Sequence, residues 1–414
     1  MHRLVGMGAV AVAATCALGV SGDVDPLSAT FAANSADPAF LAEYGAGSIP
    51  LSETAFAVQL GSALAGEQSG NLTFSPVSVY DALALLYPGA RGRTAQKLAS
   101  ALHTTASPTQ LLGETASFDA ALTGNDQLLS MAWSSWLQSG FPILPTYSGL
   151  LTRAGAPPQS ADFTNDAEGA RQRINSWVSD HTNGHISDLF PDGSIDQFTR
   201  LVLATALSLD APWETPFPAA DTWRAPFIGA HGTSNVQTMH LTNTLAYASG
   251  PGFQAVSLPY DGGRFAALVV LPSPGTDPLS MLPGSLGLAS HLKPTDVALS
   301  LPRMQASSTL DIVRTLSALG LQGLFSASCD LSGIGGPPGY LSVSDAFHDA
   351  WLAIDENGTK AAAATGLVVG VTSASAGIHS SPVVMNVDHP FLFIVRDMTS
   401  GVPILVGRVT DVEP

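Results

Sequence analysis

Residues 358–381 read GTKAAAATGLVVGVTSASAGIHSS, and this stretch gives the strongest indication of the fold. It contains no proline, and after Lys360 it contains no lysine, arginine or carboxylate. An exposed linker of this length usually carries proline and charge, which keep it solvated and unpaired. A segment that lacks both can become a central strand of a β-sheet, where proline and buried charge are excluded. The same composition is also compatible with an alanine-rich low-complexity tail or with the start of a helix.

If this segment forms a strand, alternate side chains point to the same face. One face begins with small residues and continues with larger ones, and it consists of Thr359, Ala361, Ala363, Thr365, Leu367, Val369 and Val371. Lys360 lies on the other face, where its charge can stay in water. The pattern therefore predicts a segment that can enter a sheet through its uncharged face.

The chain as a whole is long, apolar and acidic. Its 414 residues can form one large domain or two ordinary ones, and a hydrophobic content of 45% supplies a packed core. A formal net charge of −17 repels phosphate backbones and anionic membranes, so we expect no nucleic-acid partner. Lysine occurs only at positions 97, 293 and 360, a skew typical of GC-rich bacterial genes.

The N-terminus has the pattern of an export signal. His2 and Arg3 precede an apolar run over residues 4–20, and Asp23 follows it. This order predicts a signal peptide over residues 1–22 and a secreted, extracellular protein. The alternative is a retained membrane anchor, although the run is short for a helix that spans a bilayer.

The two cysteines of the chain differ in their expected fates. Cys16 lies in the predicted signal, and whether it is a lipidation site stays open. Once the signal is removed, Cys329 is the only cysteine left, so no intramolecular disulfide can form. We expect Cys329 to act as a small buried hydrophobe and the stability of the protein to come from packing.

The remainder of the chain divides into a leader and a body. Residues 23–49 are expected to form a flexible leader, and residues 50–414 a single domain. In this domain Ser52 is predicted to cap an amphipathic helix that ends near Gly66. Further helices are predicted at residues 167–181 and 310–321. Strand-like apolar runs cover residues 201–209, 265–271, 297–301, 351–354, 391–395 and 404–406. Helices early and strands late predict an α+β fold.

Motifs of catalysis and of cofactor binding are missing from the sequence. It contains no nucleophile elbow, no zinc-protease helix motif, no phosphate loop and no C-x-x-C pattern. The ten histidines have no spacing typical of metal ligands. A Ser-His-Asp triad needs no fixed spacing and so stays open. We nevertheless expect no enzyme activity, no cofactor and no metal.

Six segments, in this order along the chain, resemble the serpin family of serine protease inhibitors. The resemblance covers residues 52–414, and its segments are residues 71–102 (NLTFSPVSVYDALALLYPGARGRTAQKLASAL), 174–190 (INSWVSDHTNGHISDLF), 199–217 (TRLVLATALSLDAPWETPF), 255–272 (AVSLPYDGGRFAALVVLP), 355–365 (DENGTKAAAAT) and 388–409 (DHPFLFIVRDMTSGVPILVGRV). The resemblance implies a fold of three β-sheets with eight or nine helices and an exposed reactive-centre loop. It also implies a metastable protein whose cut loop inserts into its largest sheet.

The resemblance assigns roles to residues by motif position. The polar cluster beneath the opening region of the sheet corresponds to Ser75, Ser78 and His348, and the tryptophan where insertion begins corresponds to Trp213. Ordinary core packing is the alternative for these four residues. Thr205 stands where the family has asparagine, and a hydroxyl cannot form all the hydrogen bonds of an amide. The loop hinge consists of Gly358, Thr359, Ala361, Ala362, Ala363, Ala364 and Thr365.

This hinge favours an inhibitor that acts as a suicide substrate: the loop is cut, the protease stays bound as an acyl-enzyme, and the loop inserts. The alternative is a non-inhibitory carrier, chaperone or surface-binding protein with the same fold. Non-inhibitory members tend to carry charged or bulky residues in the hinge, whereas four alanines follow Lys360 here. Lys360 replaces the usual glutamate, but it lies on the solvent face.

Two bonds are candidates for the cut. The family's usual count from Gly358 gives Thr372–Ser373, and counting back from Pro382 gives His379–Ser380. Insertion as far as Thr372 spans roughly 46 Å, and a domain of this size is about 55 Å across. Insertion as far as His379 would span roughly 69 Å, longer than the domain. The length therefore favours Thr372–Ser373.

The residues before this bond indicate the target. Val371 and Thr372 are small and uncharged, which suits a shallow or apolar specificity pocket. We therefore expect an elastase-like or subtilisin-like serine protease as partner. Arg91 and Arg93 stand nearly alone in their region, so no heparin-type cofactor is expected. The protein is expected to be a monomer.

Overall fold

A computed structural model of the chain describes residues 9–14, 47–124, 128–182, 184, 186–359 and 381–413. Eight α-helices lie in these described residues, and they are α1 (Ile49–Glu67), α2 (Pro76–Leu86), α3 (Gly92–Ala101), α4 (Pro108–Thr123), α5 (Pro145–Arg153), α6 (Phe163–His181), α7 (Leu282–Ser285) and α8 (Val313–Leu316). None of the helices in this part of the chain is both long enough and apolar enough to cross a membrane.

The first helix starts earlier than the sequence predicts. α1 begins at Ile49 because Pro50 is preset for a first helical turn. Ser52 is therefore inside the helix, and its hydroxyl donates to the carbonyl of His103 at 3.0 Å. The prediction that Ser52 caps this helix is wrong, whereas the predicted end near Gly66 is correct within one residue.

Helix α2 lies at the centre of the fold. Ser75 caps it by accepting a hydrogen bond from the amide of Ser78, and Pro76 occupies its first turn. All residues of α2 are buried, because the helix packs against the strands above it and against α1 and α4. A helix that is buried on every side is mostly apolar rather than amphipathic, and the polar residues inside α2 are Ser78, Tyr80 and Asp81.

Most of the strands follow α6 along the chain. They are β1 (Ala9–Ala14), β2 (Leu72–Phe74), β3 (Leu129–Gln138), β4 (Pro158–Ala161), β5 (Thr199–Leu209), β6 (Ala211–Pro212), β7 (Thr222–Gly229), β8 (Gly232–Gly250), β9 (Phe253–Pro259), β10 (Phe265–Pro272), β11 (Lys293–Pro302), β12 (Met304–Asp311), β13 (Ser342–Ile354), β14 (Gly358–Thr359), β15 (Val383–Asn386), β16 (Phe391–Asp397) and β17 (Pro403–Val409). Each predicted apolar run lies inside one of them, so the strand predictions are confirmed.

One sheet has eight strands in the order β4-β3-β5-β1-β13-β14-β6, with β12 paired to β13. In this sheet β1 lies between β5 and β13 and runs parallel to both. β1 belongs to the segment that the sequence predicts to be a signal peptide. The sheet therefore accommodates an additional strand between β5 and β13.

The other strands form a nine-stranded network in the order β15-β11-β8-β9-β10-β16-β17-β2, with β7 paired to β8. β8 is 19 residues long, and it pairs with β7 and β11 and, near its end, with β9. The second and third of the expected sheets are thus joined by hydrogen bonds through this long strand. The mixed architecture confirms the predicted α+β class.

The helix predicted over residues 310–321 is confirmed in part, because residues 313–321 are helical and the last five of them form a π-helical turn. β12 extends to Asp311, and only Val313–Leu316 is α-helical. Gly320 then adopts φ +88°, a conformation that a right-handed helix cannot continue. Cys329 is buried and free, as expected, and burial raises its pKa to about 12.

Candidate functional site

The hinge of the predicted loop enters the eight-stranded sheet at one end. β14 pairs antiparallel with β13, where Thr359 lies opposite Ile354, and with β6, where Thr359 lies opposite Ala211. A Cβ atom on Gly358 would lie 2.2 Å from the carbonyl oxygen of Ala211. Only glycine fits at that position, so the close approach of the two backbones explains the residue.

Thr359 is buried, on the face that strand alternation predicts. Its hydroxyl and that of Tyr260 are 2.5 Å apart. Tyr260 is itself fully buried, and this burial raises its pKa, so the phenol stays protonated. The first inward-facing residue of the hinge is therefore anchored by a neutral hydrogen bond inside the protein.

Trp213 holds the turn that leads into the hinge. Its backbone amide donates to the carbonyl of Asn357 at 2.7 Å, and its indole Nε1 donates to the carbonyl of Asp355 at 3.0 Å. Its ring stacks on Tyr260, with ring centres 4.6 Å apart. Trp213 thus contacts the hinge directly as well as filling the core.

An ion pair beside this turn was not predicted from the sequence. The Arg303 guanidinium donates to both carboxylate oxygens of Glu356, at 2.8 Å through Nε, and the Thr222 hydroxyl adds a further hydrogen bond. Burial raises the pKa of Glu356, but these hydrogen bonds outweigh it and hold the pKa below its usual value. Asp355 and Glu356, shortly before Gly358, were the available sequence signal for an ion pair. Nothing in the sequence identifies Arg303 as the partner of Glu356.

The predicted polar cluster is assembled beneath the same sheet, further along β5 and β13. The amide of Ser75 donates to Nε2 of His348 at 2.9 Å, and the amide of Ser78 donates to the Ser75 hydroxyl at 3.3 Å. Thr205 reaches the cluster as well, because its hydroxyl donates to the carbonyl of Ser78 at 3.1 Å. The structure therefore brings together all four residues.

His348 is neutral in this environment. Burial lowers its pKa to about 3. Nε2 accepts a hydrogen bond, so the ring proton is on Nδ1, which has no partner among the described residues. The Thr205 hydroxyl donates to the carbonyl of Ser78 and is not a partner of Nδ1 of His348.

Strand β1 ends between the two sides of this cluster. Ala14 lies opposite His348 on β13, and Ala13 lies opposite Ala204 on β5, one residue before Thr205. The gap between Thr205 on β5 and His348 on β13 can therefore hold a strand of the sheet, and the end of β1 lies there.

The rest of the predicted site is outside the described residues. Hinge residues 361–365 fall there, as do both candidate bonds, Thr372–Ser373 and His379–Ser380.

Known proteins are similar in sequence to this chain along most of its length. The family described as Serpin (serine protease inhibitor) matches residues 51–412. A serpin-like protein of Thermococcus kodakarensis is 31% identical over 368 residues, which cover 86% of this chain and 83% of the relative. Leukocyte elastase inhibitor A of Mus musculus is 31% identical, over 86% of this chain and 97% of the relative.

A solved structure shows the same architecture. Uncleaved ovalbumin superimposes with a TM-score of 0.78 at 26% identity, over 88% of this chain and all of that chain. The hinge next to the sheet, the order of the elements and the extent of the family match lead to one conclusion. The chain belongs to the serpin family, which is described as serine protease inhibitors.

Proposed function

We propose that the protein is a secreted inhibitor of serine proteases that acts as a suicide substrate. A target protease cuts the loop after Thr372 and remains attached to it as an acyl-enzyme. The freed part of the loop then enters the eight-stranded sheet between β5 and β13. The protein has no catalytic role of its own in this scheme.

One observation supports this proposal more than any other: the register of β14. Thr359 lies opposite Ile354 and Ala211, and both pairings are antiparallel. If the pairing continues without a bulge, Thr365 lies opposite both His348 and Thr205. Val371 then lies opposite Ser342 and Thr199, the first residues of β13 and β5. The inserted strand would thus end at Val371, where its neighbours begin, one residue before Thr372.

The same register opposes insertion as far as His379. That segment would extend seven residues beyond Thr372 and past the ends of β5 and β13. Those residues would gain no ladder hydrogen bonds, and the slack would relieve the compression of the attached protease. Cleavage after Thr372 therefore combines complete insertion of the loop with movement of the attached protease along the full length of the sheet. A displacement of about 1 Å at an active site can cost roughly 100-fold in rate.

The strand position needed for insertion is the one that β1 takes. We propose that removal of residues 1–22 during export frees this position, since β1 is part of that segment. The exported protein would then keep the loop outside and the sheet open to it. N-terminal sequencing of the protein from the culture medium tests this, and an N-terminus at residue 23 is the expected result.

We also propose an elastase-like or subtilisin-like target. The small uncharged residues Val371 and Thr372 support it, and a leukocyte elastase inhibitor is among the relatives. A trypsin-like pocket contains a carboxylate that these side chains cannot pair with.

A non-inhibitory carrier or chaperone is the second candidate. The shared fold does not separate it from the inhibitor, because the family also contains non-inhibitory members. The uncharged hinge and the anchored Thr359 favour the inhibitor instead.

Incubation of the exported protein with elastase, subtilisin and trypsin distinguishes the candidates. An inhibitor yields a covalent complex with elastase or subtilisin that survives a denaturing gel, and the same proteases blocked at their serine yield none. Complete turnover of the loop, with no complex for any of the three, would falsify the inhibitor and favour the carrier.

A further inference from the structure

Three acidic side chains meet inside the protein, apart from the hinge. Glu53 on α1, Asp81 on α2 and Asp119 on α4 each offer a carboxylate oxygen, and these oxygens lie within 4.8 Å of one another. At most 2% of any of these residues is exposed. The cluster is produced by the packing of three helices that are far apart in sequence.

Within the described part of the chain, no positive side chain compensates these carboxylates. Trp133 Nε1 donates to Oδ2 of Asp81 at 3.3 Å, and the other five carboxylate oxygens are buried without a hydrogen-bond partner. Burial of even one unpaired carboxylate is costly, and three neighbouring ones repel each other as well. The charge must therefore be neutralised by protons or by a bound cation.

Thr115 carries a further buried oxygen on α4, the helix of Asp119. Thr115 is one turn before Asp119 on the buried face of α4, and helical side chains lean toward the N-terminus. We therefore expect the Thr115 hydroxyl to lie on the same side of α4 as the Asp119 carboxylate. The Thr115 hydroxyl is buried and has no partner, although Ser117 and Thr123 in the same helix both donate to the carbonyl four residues back. Its hydroxyl is thus available for a ligand or for a ligating carboxylate.

We propose that Glu53, Asp81 and Asp119 bind one divalent cation of the calcium type. Oxygens on opposite sides of a calcium ion lie about 4.6 to 5.2 Å apart, because each bond is 2.3–2.6 Å long. The three oxygens lie within 4.8 Å of one another, which is close enough for one calcium ion to contact all of them. Magnesium requires near-ideal octahedral geometry and usually keeps several water ligands, so a fully buried site with three carboxylates suits it less well. Ligands that are all oxygen also favour a hard cation over zinc or copper.

The carboxyl groups lie in an environment that disfavours three uncompensated negative charges. Burial, and next the charge of Asp81, raise the pKa of both Glu53 and Asp119. Burial also raises the pKa of Asp81, against the hydrogen bond from Trp133. A cation at the centre would replace the protons and join α1, α2 and α4 beneath the sheet.

Thermal unfolding of the full chain tests the proposal. After dialysis against EDTA, millimolar CaCl₂ is expected to raise the unfolding midpoint with saturation, and MgCl₂ is expected to raise it less. Glu53→Gln and Asp119→Asn should abolish the shift, whereas Asp180→Asn, which removes an exposed acid, should leave it unchanged. A shift that persists in Glu53→Gln and Asp119→Asn would place the cation elsewhere and overturn the site.

A second measurement on the unmodified chain does not depend on the folding of variants. Tb³⁺ replaces Ca²⁺ in oxygen sites and emits when an excited tryptophan is close, and the Trp133 indole donates to one of the proposed ligands. Excitation of tryptophan should therefore give Tb³⁺ emission that saturates at one Tb³⁺ per chain. Addition of CaCl₂ should reduce this emission, because Ca²⁺ displaces Tb³⁺ from the site. Absence of both the Tb³⁺ emission and the CaCl₂-dependent rise in the unfolding midpoint would overturn the proposal and leave protons as the neutralising charge. Higher stability of Glu53→Gln and Asp119→Asn at neutral pH would support neutralisation by protons.

Discussion

The amide of Ser75 donates a 2.9 Å hydrogen bond to Nε2 of His348, across 273 residues of sequence. This contact connects the start of α2 to β13. It also fixes the histidine as a neutral ring, because Nε2 must be unprotonated to accept. The two residues therefore form a link, sensitive to acid, between the core helix and the sheet that is proposed to open.

The first prediction concerns acid. Burial lowers the pKa of His348 to about 3, whereas a histidine in the unfolded chain titrates near about 6.5. The stability that the neutral ring contributes is therefore complete above pH about 6.5 and is lost as the pH falls from about 6.5 to about 3. His348 should therefore cost the protein roughly 2 kcal/mol of unfolding free energy between pH 7 and pH 5. His348→Gln, which cannot titrate, should lose correspondingly less in urea unfolding at the two pH values.

The exposed residue His291 provides the matched control. His291→Gln should show the same pH dependence as the unmodified protein. Equal losses for all three proteins would mean that His348 does not titrate differently in the folded state.

The second prediction concerns Thr365, whose extended register places it opposite His348 and Thr205 after insertion. Its hydroxyl would then face the unpartnered Nδ1 of His348. Thr365→Val should therefore lower the unfolding free energy of the cleaved protein by about 1 kcal/mol, and Thr365→Ser by less, because only valine lacks the hydroxyl. Denaturant unfolding of the three cleaved proteins measures the difference. Identical midpoints for valine and serine would contradict the register.

The third prediction concerns the first step of insertion. Thr359→Arg places a charge in the buried position beside Tyr260, at a cost of several kcal/mol, so the variant should be cut as a substrate instead of inhibiting. The ratio of inhibitor to protease at full inhibition measures the change. Asn357→Arg adds the same charge at an exposed side chain two residues earlier and should keep the ratio unchanged. Unimpaired inhibition by Thr359→Arg would show that the hinge does not insert through this face.

The fourth prediction concerns the stability of the cleaved protein. Insertion adds a central strand with its hydrogen bonds and its apolar face, so cleavage between Leu367 and His379 should raise the thermal midpoint sharply. Scanning calorimetry of the protein without residues 1–22, before and after cleavage, measures it. The full chain with β1 in place should show a smaller rise, since its strand position is taken. No rise in the shortened chain would mean that the loop stays outside.

The fifth prediction identifies the bond. A cut after Thr372 releases the 42 residues from Ser373 to Pro414, whereas a cut after His379 releases the 35 residues from Ser380. Mass spectrometry of the fragment from a covalent complex separates the two. We expect the longer fragment, and the shorter one would reject the register argument together with Thr372.

Much of the fold was predictable from the sequence because the signals were local. The absence of proline and charge after Lys360 and the apolar strand runs are read over a few residues, and the strand runs are all found in the structure. The prediction that Ser52 caps α1 was wrong because two local signals competed. Pro50 starts the helix earlier and places Ser52 inside it. The burial of Thr359 followed from strand alternation alone.

Contacts between distant residues were decided only by the tertiary structure. Tyr260 meets Thr359 across 99 residues, and Arg303 meets Glu356 across 53. The acidic cluster is a stronger case, because Glu53, Asp81 and Asp119 lie on three helices and have no spacing that suggests a common site. Propensity and periodicity act over one or two turns of chain, whereas these contacts depend on how helices and sheets pack against one another. The sequence by itself therefore determined the family, the strands and the burial of Thr359 at the start of the hinge. Packing decided what holds that hinge and which carboxylates share a single buried space.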